Sequence, residues 1–287
     1  MLIRSAPSQA WAIHEKILPV IVPQVKLPPI TPQDTPEAHM ETYKAQAGDT
    51  DAYADKNNAN TRLTLMALLE SWVRSGASDW TCSAYLSAAA SILLKNIIII
   101  NLVWRVGRVE ATVRKVTLAV AYSLLRAGAV KPVTLYEVAS ELTPQIVSQL
   151  DDHETSMRHM AALCLCVIFE RLKGAFGYQA VSELYPMLVK RLDDSNDDVR
   201  MQSCKALGAF MASSSPGAFS GTALDYTLDQ LFIHLDDPDA EMQAVVYDVI
   251  IIGSSLNKDL VWKKAHESLA THRNTKMCDK LIAELRG

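Results

Sequence analysis

Glycine is scarce in this 287-residue sequence. There are eleven, well below the roughly 7% of an average protein, while Leu, Ala, Val, Lys and Glu fill long uninterrupted segments, a balance that favours helix over strand. The five cysteines, Cys82, Cys164, Cys166, Cys204 and Cys278, are odd in number. They lack the spacing of a disulfide scaffold and read as reduced thiols of a cytosolic chain. No long hydrophobic run exists. The apolar uncharged stretch Trp80 to Leu94 stops at Lys95 after 15 residues, short of the roughly 20 a membrane span needs. The start, "MLIRSAPSQAW", lacks the apolar region of a secretory signal. The net charge of -4 is spread over interspersed acids and bases, which excludes the basic field expected of a nucleic-acid or membrane-surface binder. Walker, G-x-G-x-x-G, G-x-S-x-G and HExxH patterns are missing too. With hydrophobic residues at 49%, the chain nevertheless has ample material for a core.

Among what is present, "RLDDSNDDVR" (191–200) matches the first half of a calcium loop at Asp194, Asn196 and Asp198. The sixth and twelfth positions are Val199 and Lys205, where an EF-hand needs a turn glycine and a bidentate glutamate. A calcium site is rejected on that ground, and a repeat explains the cluster instead. "PQIVSQLDDHETSMRHM" from Pro144, "PMLVKRLDDSNDDVRMQ" from Pro186 and "DQLFIHLDDPDAEMQAV" from Asp229 align without gaps, with Leu150, Leu192 and Leu235 before each acidic pair. The periods of 42 and 43 residues fall in the range of helical-hairpin repeats. A degenerate fourth copy carries Val113 and Arg114 at the matching positions and Gly107-Arg108 in place of Asp-Asp.

Each copy reads as two apolar helical segments joined by a short polar turn. In the second, Met160, Leu163, Cys164, Val167 and Ile168 form an i, i+3, i+4, i+7, i+8 stripe. Such a hairpin cannot cover its apolar face alone, so the copies must stack. The predicted fold is all-α, a HEAT/armadillo-type α-solenoid of stacked antiparallel helix pairs. Asp152, Asp194 and Asp237 are expected at the N-caps of the second helices, with Pro238 at a first helical position. Arg158 and Arg200 each follow the second aspartate of the pair by six positions, and Gln243 breaks the series in the third copy.

Along the chain, residues 1–22 read as the remnant helix of a preceding repeat. Residues 23–60, with Pro23, Pro28, Pro29, Pro32 and Pro36, read as a proline-rich flexible linker or insertion. Residues 61–287 are the HEAT-repeat array, closed by a more highly charged capping repeat. The isoleucine run at 97–100 is assigned to a buried helix. Cys164 and Cys166 with His159 do not make a metal site, because residues two apart on a helix point about 200° away from each other. "GAFSG" (217–221) is a connecting loop without a preceding strand, and the neighbouring "ASSSPG" is a solvated connection or a phosphorylation site. No catalytic, cofactor-binding or metal-ligating residue is assigned.

The segments "NLVWRVGR" (101–108), "YPMLVKRLDDSNDDVRM" (185–201), "LFIHLDDPDAEMQAVVYDVI" (231–250) and "HRNTKMCDKLI" (272–282) resemble the C-terminal HEAT array of the dynein axonemal assembly factor 5 family. The resemblance covers about residues 95–286 and gives Trp104, Gly107 and Arg108 as matching positions of unassigned role. It implies the Asp/Arg ladder of HEAT proteins, in which aspartate and arginine of successive repeats pair along the stack, lapsing here at the third copy. It also implies a cytoplasmic, non-enzymatic scaffold without cofactors, needed to preassemble axonemal dynein arms. Its implied partners are dynein subunits, other assembly factors and chaperones, with no nucleic acid or membrane. The family's members are several times longer than this chain. The rival reading is a general HEAT adaptor such as a nuclear-transport or phosphatase scaffold. Because the acidic clusters belong to turns and the thiols diverge, the melting temperature should be indifferent to EDTA; a shift of several degrees on chelation would overturn that assignment.

Overall fold

The computed structural model of the chain describes residues 21–23, 52–76, 80–105 and 107–286. Helix α1 (Ala52–Gly76) begins earlier than the expected start near Thr61. "AYADKNNAN" (52–60) contains no glycine or proline and three alanines, so nothing stops the helix from extending towards its N-terminus once the apolar turns after Thr61 are packed. Residues 21–23 are helical. The rest of the expected remnant helix, and of the linker up to residue 51, lies outside the described residues.

Contacts divide the chain into two compact units, Met1–Gln145 and Ile146–Gly287. In the first, α1 packs on α4 (Arg108–Arg126). Between them in sequence come α2 (Trp80–Leu93), a π turn (Leu94–Ile98) and α3 (Ile99–Leu102). The isoleucine run is therefore helical, with Ile97 and Ile98 fully buried. The π turn meets the need to bury neighbouring β-branched side chains on more than one face. Leu69, Val73, Leu94, Leu102, Val113, Leu118 and Leu124 complete this core. Gly107 opens α4 at φ +124°, a conformation that L side chains rarely adopt. Helix α5 (Pro132–Ser148) follows, its last turn falling in the second unit. Among the described residues no helix is long and apolar enough to cross a membrane.

The second unit contains α6 (Thr155–Arg171), then the pairs α7 (Tyr178–Val189) and α8 (Asp197–Ser213), α9 (Gly221–Leu235) and α10 (Ala240–Leu256), and α11 (Lys258–Ser268) and α12 (Lys276–Arg286). Second helices stack as one row, α6 on α8 on α10 on α12, and first helices as another, α7 on α9 on α11. This is the stacked-hairpin fold expected from the period. The helices meet closely: a Cβ added at Gly208 of α8 would lie 2.9 Å from Val249 Cγ2 of α10. The stripe expected on α6 is only half right. Cys164 and Ile168 are buried, but Met160, Leu163 and Val167 are half-buried, and the buried line runs Met157, Ala161, Cys164, Leu165, Ile168. Periodicity measures the width of an apolar face, whereas the helix packed against it decides which edge is covered.

Four of the chain's five phenylalanines converge where the repeats join. The ring of Phe169 lies 5.1 Å from Phe176 and 4.7 Å from Phe210, and Phe210 lies 5.8 Å from Phe219. Packing of this kind, edge-on for Phe169–Phe176 and Phe210–Phe219 and tilted for Phe169–Phe210, adds to area burial. Phe219 belongs to the 217–221 loop and is buried, so that connection is also a core element.

Leu192 ends the first helix of its repeat with no exposed surface, whereas the Asp197 carboxylate is 70% exposed and bonds only Arg200, 2.9 Å away. Leu192→Asp is expected to cost several kcal/mol by burying a charge, and Asp197→Ala no more than about 1 kcal/mol. Thermal melts of both variants decide this; coincident midpoints would mean that the register is wrong.

Candidate functional site

The acidic pairs lie where a first helix ends in a 3-10 turn, Gln149–Asp151 and Lys190–Asp193 in successive repeats. Sequence placed Asp152, Asp194 and Asp237 at the N-caps of the helices that follow. The structure moves the caps two residues on, to Glu154, Asn196 and Asp239. Asn196 Oδ1 accepts from the Val199 amide at 3.1 Å and Asp239 Oδ1 from Glu241 at 2.8 Å. The three aspartates instead form Asx turns onto the cap residues, accepting from the amides of Glu154, Asn196 and Asp239 at 2.9, 3.1 and 2.9 Å. Pro238 accordingly lies inside an Asx turn, ahead of the helix. There its fixed φ is useful and its missing N–H removes no helical bond.

The same carboxylates also face the preceding repeat. Arg158 donates to Asp194 through Nε at 2.7 Å and Nη2 at 2.8 Å, a two-pronged pair with side chains only 9% and 2% exposed. Its Nη1 also donates to the carbonyls of Asp152 and His153, at 3.0 and 3.1 Å. Arg200 repeats the arrangement one step along, donating to Asp237 and, through Nε, to the Leu192 carbonyl at 3.1 Å. In the third repeat Gln243 holds only its own turn, donating to the Asp237 carbonyl at 2.7 Å. The next link uses the other aspartate with reversed polarity. Asp236 accepts from Arg273 N at 3.0 Å, Arg273 Nε at 3.1 Å and Asn274 N at 3.1 Å, all from the following repeat. This last link was not visible in the repeat alignment, because it pairs the first acid of the motif with a loop outside it.

Burial works against ionisation of Asp194, but the Arg158 hydrogen bonds and the Asn196 amide outweigh it and hold the carboxyl below its usual range. Asp237 is lowered likewise: burial opposes, while the Asp239 amide and Arg200 prevail. The Arg273 amide is the main cause for Asp236, with the Arg273 and Asn274 donors adding to it and burial opposing. His234, buried on α9 with Nε2 3.4 Å from Asp193, is pushed down chiefly by loss of water, with Asp193 opposing.

In the first unit, Trp104 is half exposed and Arg114 sits 6.0 Å from its ring centroid, a cation–π contact. Arg108 is the first residue of α4, and its carbonyl accepts from Thr112 Oγ1 at 3.0 Å. With Gly107 these residues shape a helix entrance.

On the face made by the second helices of the second unit lies a groove of about 500 Å³. Each helix lines it at helical spacing: Cys166, Phe169, Glu170 and Lys173 from α6 and its end, Lys205, Ala209 and Ala212 from α8, and Val245, Asp248, Val249 and Ile252 from α10. The floor is apolar and low because α8 contributes alanines. Lysines and carboxylates form the rim. Sequence reasoning missed this groove; the only signal was a run of small residues at i+4 and i+7 from Lys205. Burial raises the Cys166 thiol to about 12, with Glu170 adding to the effect, so it is a protonated side chain rather than a nucleophile. Among the described residues no three His, Cys, Asp or Glu side chains converge as a metal site. The groove offers shape and apolar contact, which suits binding a protein segment.

A HEAT repeat family model matches residues 184–214. That span covers the end of α7, the acidic turn and α8. Dynein axonemal assembly factor 5 of Xenopus laevis is 25% identical over 224 residues, 77% of this chain. The Homo sapiens protein of the same name is 23% identical over 229 residues, 79% of this chain. This chain resembles dynein axonemal assembly factor 5. It spans 27% of the length of each of these two relatives. Among solved structures, a designed armadillo repeat protein aligns with TM-score 0.57 at 15% identity, covering 93% of this chain and 99% of that one. Another, solved with a (KR)4 peptide, aligns with TM-score 0.55 at 14% identity, covering 94% and 99%. These establish the HEAT/armadillo fold class.

All four depressed groups act in one direction. Their folded pKa lies below the unfolded value, so each contributes stability above its unfolded pKa and loses it as pH falls through the folded one. The melting temperature should therefore drop in two stages on acidification, first below about pH 6.5 for His234 and again below about pH 4 for the aspartates. His234→Gln should remove the upper stage and leave the lower. Calorimetry from pH 8 to 3 checks this; a flat profile would contradict the pairing described above.

Proposed function

We propose that this chain is a non-enzymatic HEAT-repeat scaffold in the cytoplasmic preassembly of axonemal dynein arms, binding dynein subunits, other assembly factors or chaperones. The observation that carries the reading is the similarity to proteins named as dynein axonemal assembly factors over more than three quarters of the chain. The fold supports it physically. Stacked helix pairs present one continuous face, and a partner held there is bound by many weak contacts distributed over several repeats. The groove lined by α6, α8 and α10 is the part of that face assigned to contact, its alanine floor receiving apolar side chains and its charged rim setting orientation. Such a scaffold uses neither metal nor cofactor.

Removing the protein from a ciliated or flagellated cell should leave cilia of normal length that beat poorly, with outer and often inner dynein arms missing. Electron microscopy of axoneme cross-sections reads the result. Re-expression of the native chain at its own locus should restore the arms, and an Ala209→Arg form that fills the groove should not. A full set of arms in the deleted cell would sink the assembly role.

A further inference from the structure

The joint between successive repeats is stitched at the loop end by a few backbone bonds. Phe176 and Ser214 form an isolated parallel bridge. Gly174 N donates to Ser213 O at 2.7 Å, and Ser215 N donates to Phe176 O at 2.9 Å. One side chain closes the set: Ser215 Oγ donates to Gly174 O at 2.8 Å, across 41 residues of sequence. Pro216 follows it and is exposed. The neighbouring serines differ. Ser213 is buried, and both it and Ser214 turn back to the Phe210 carbonyl, at 3.0 and 2.8 Å. Of the other serine or threonine hydroxyls followed by proline, Thr143 is buried inside α5, and Thr31 and Thr35 lie outside the described residues. Ser214 has left the helix with extended backbone, φ -69° and ψ 148°, the conformation in which a kinase cleft takes a substrate.

We propose that Ser215 is a phosphorylation site for a proline-directed protein kinase, and that its modification opens this inter-repeat joint. In the transfer, a bond forms between Ser215 Oγ and the γ-phosphorus of ATP while the bond from that phosphorus to the β-phosphate's bridging oxygen breaks. ADP leaves, and the hydroxyl proton passes to the kinase's base. The product has lost the donor that Gly174 O requires and sets a nearly dianionic group against that carbonyl oxygen. Of this stitch only the two backbone bonds beside it then remain. Phe176, whose carbonyl accepts the Ser215 amide, then loosens its contacts with Phe169 and Phe210. Ser213 and Lys173, which flank the stitched residues in sequence, both line the groove, so the change reaches the groove's edge. The inference stands on the joint itself, whatever the groove holds.

The purified chain is incubated with a proline-directed serine/threonine kinase and ATP, the phosphosite is located by mass spectrometry, and amide exchange is compared before and after. One phosphoryl group should be found on Ser215, and none on that segment in Ser215→Ala or Pro216→Ala. Exchange at Gly174 and Ser215 should rise by about tenfold or more, as in local opening. A second sample carries phosphoserine encoded at position 215 and must show the same faster exchange. Absence of phosphate from Ser215 in the native chain overturns the site, and unchanged exchange in the encoded phosphoserine chain overturns the opening.

Discussion

The second unit depends on one interaction repeated along it: a guanidinium from one repeat clasped by the aspartate that closes the turn of the next. Arg158 with Asp194 and Arg200 with Asp237 are largely withdrawn from water, where an isolated charge of either sign would be strongly unfavourable. The pairs are tolerable because their own polar atoms are met by neighbouring backbone groups. Backbone carbonyls of the turn take further arginine donors, and in both pairs the amide of the next cap donates to the aspartate's Oδ1. Removing either partner would therefore strand several polar groups at once. This makes the spacing between repeats a discrete geometry rather than a sliding apolar contact.

Where the arginine gives way to Gln243, the link is rebuilt rather than lost. Asp236 now receives two amides and a guanidinium from the following loop. Lys264 of α11 reaches back to Asp225 and Asp229 of α9, with its own side chain only 9% exposed. Tyr247 on α10 donates to Glu284 on α12 at 2.5 Å. The last two pairs are thus joined through both rows of helices. Where α6 meets α8, the acidic end of the hairpins is held by charge and the opposite end by phenylalanine rings, so that joint is pinned at two points.

Between these fixings the second helices have little freedom, which is what a binding face requires. Their exposed side carries small residues on α8 and longer apolar ones on α10, bounded by charged groups of both signs. A surface of this kind binds through shape and modest apolar area, and discriminates partners by the pattern of its rim.

The sequence by itself determined the fold class, the repeat period and the positions of the turns, because an apolar stripe of helical period that cannot be buried alone leaves stacking as the outcome. It also marked Asp194, Asp237, Arg158 and Arg200 as special, since acids and arginines recurring at one offset in apolar segments need a common reason. What it misjudged were matters of local register. Asp152, Asp194 and Asp237 stand two residues before the caps, and Pro238 stands before its helix. Asp, Asn and Pro favour an Asx turn and a helix cap for the same hydrogen-bonding reasons, and composition alone does not separate the two. Only the tertiary structure decided which carboxylate meets which guanidinium, that Phe219 of a glycine-flanked loop is core, and that Ala209 and Ala212 floor a groove. Each of these depends on residues about 40 positions apart being brought together by stacking, and the periodicity of a single helix carries no information about the helix that will lie against it.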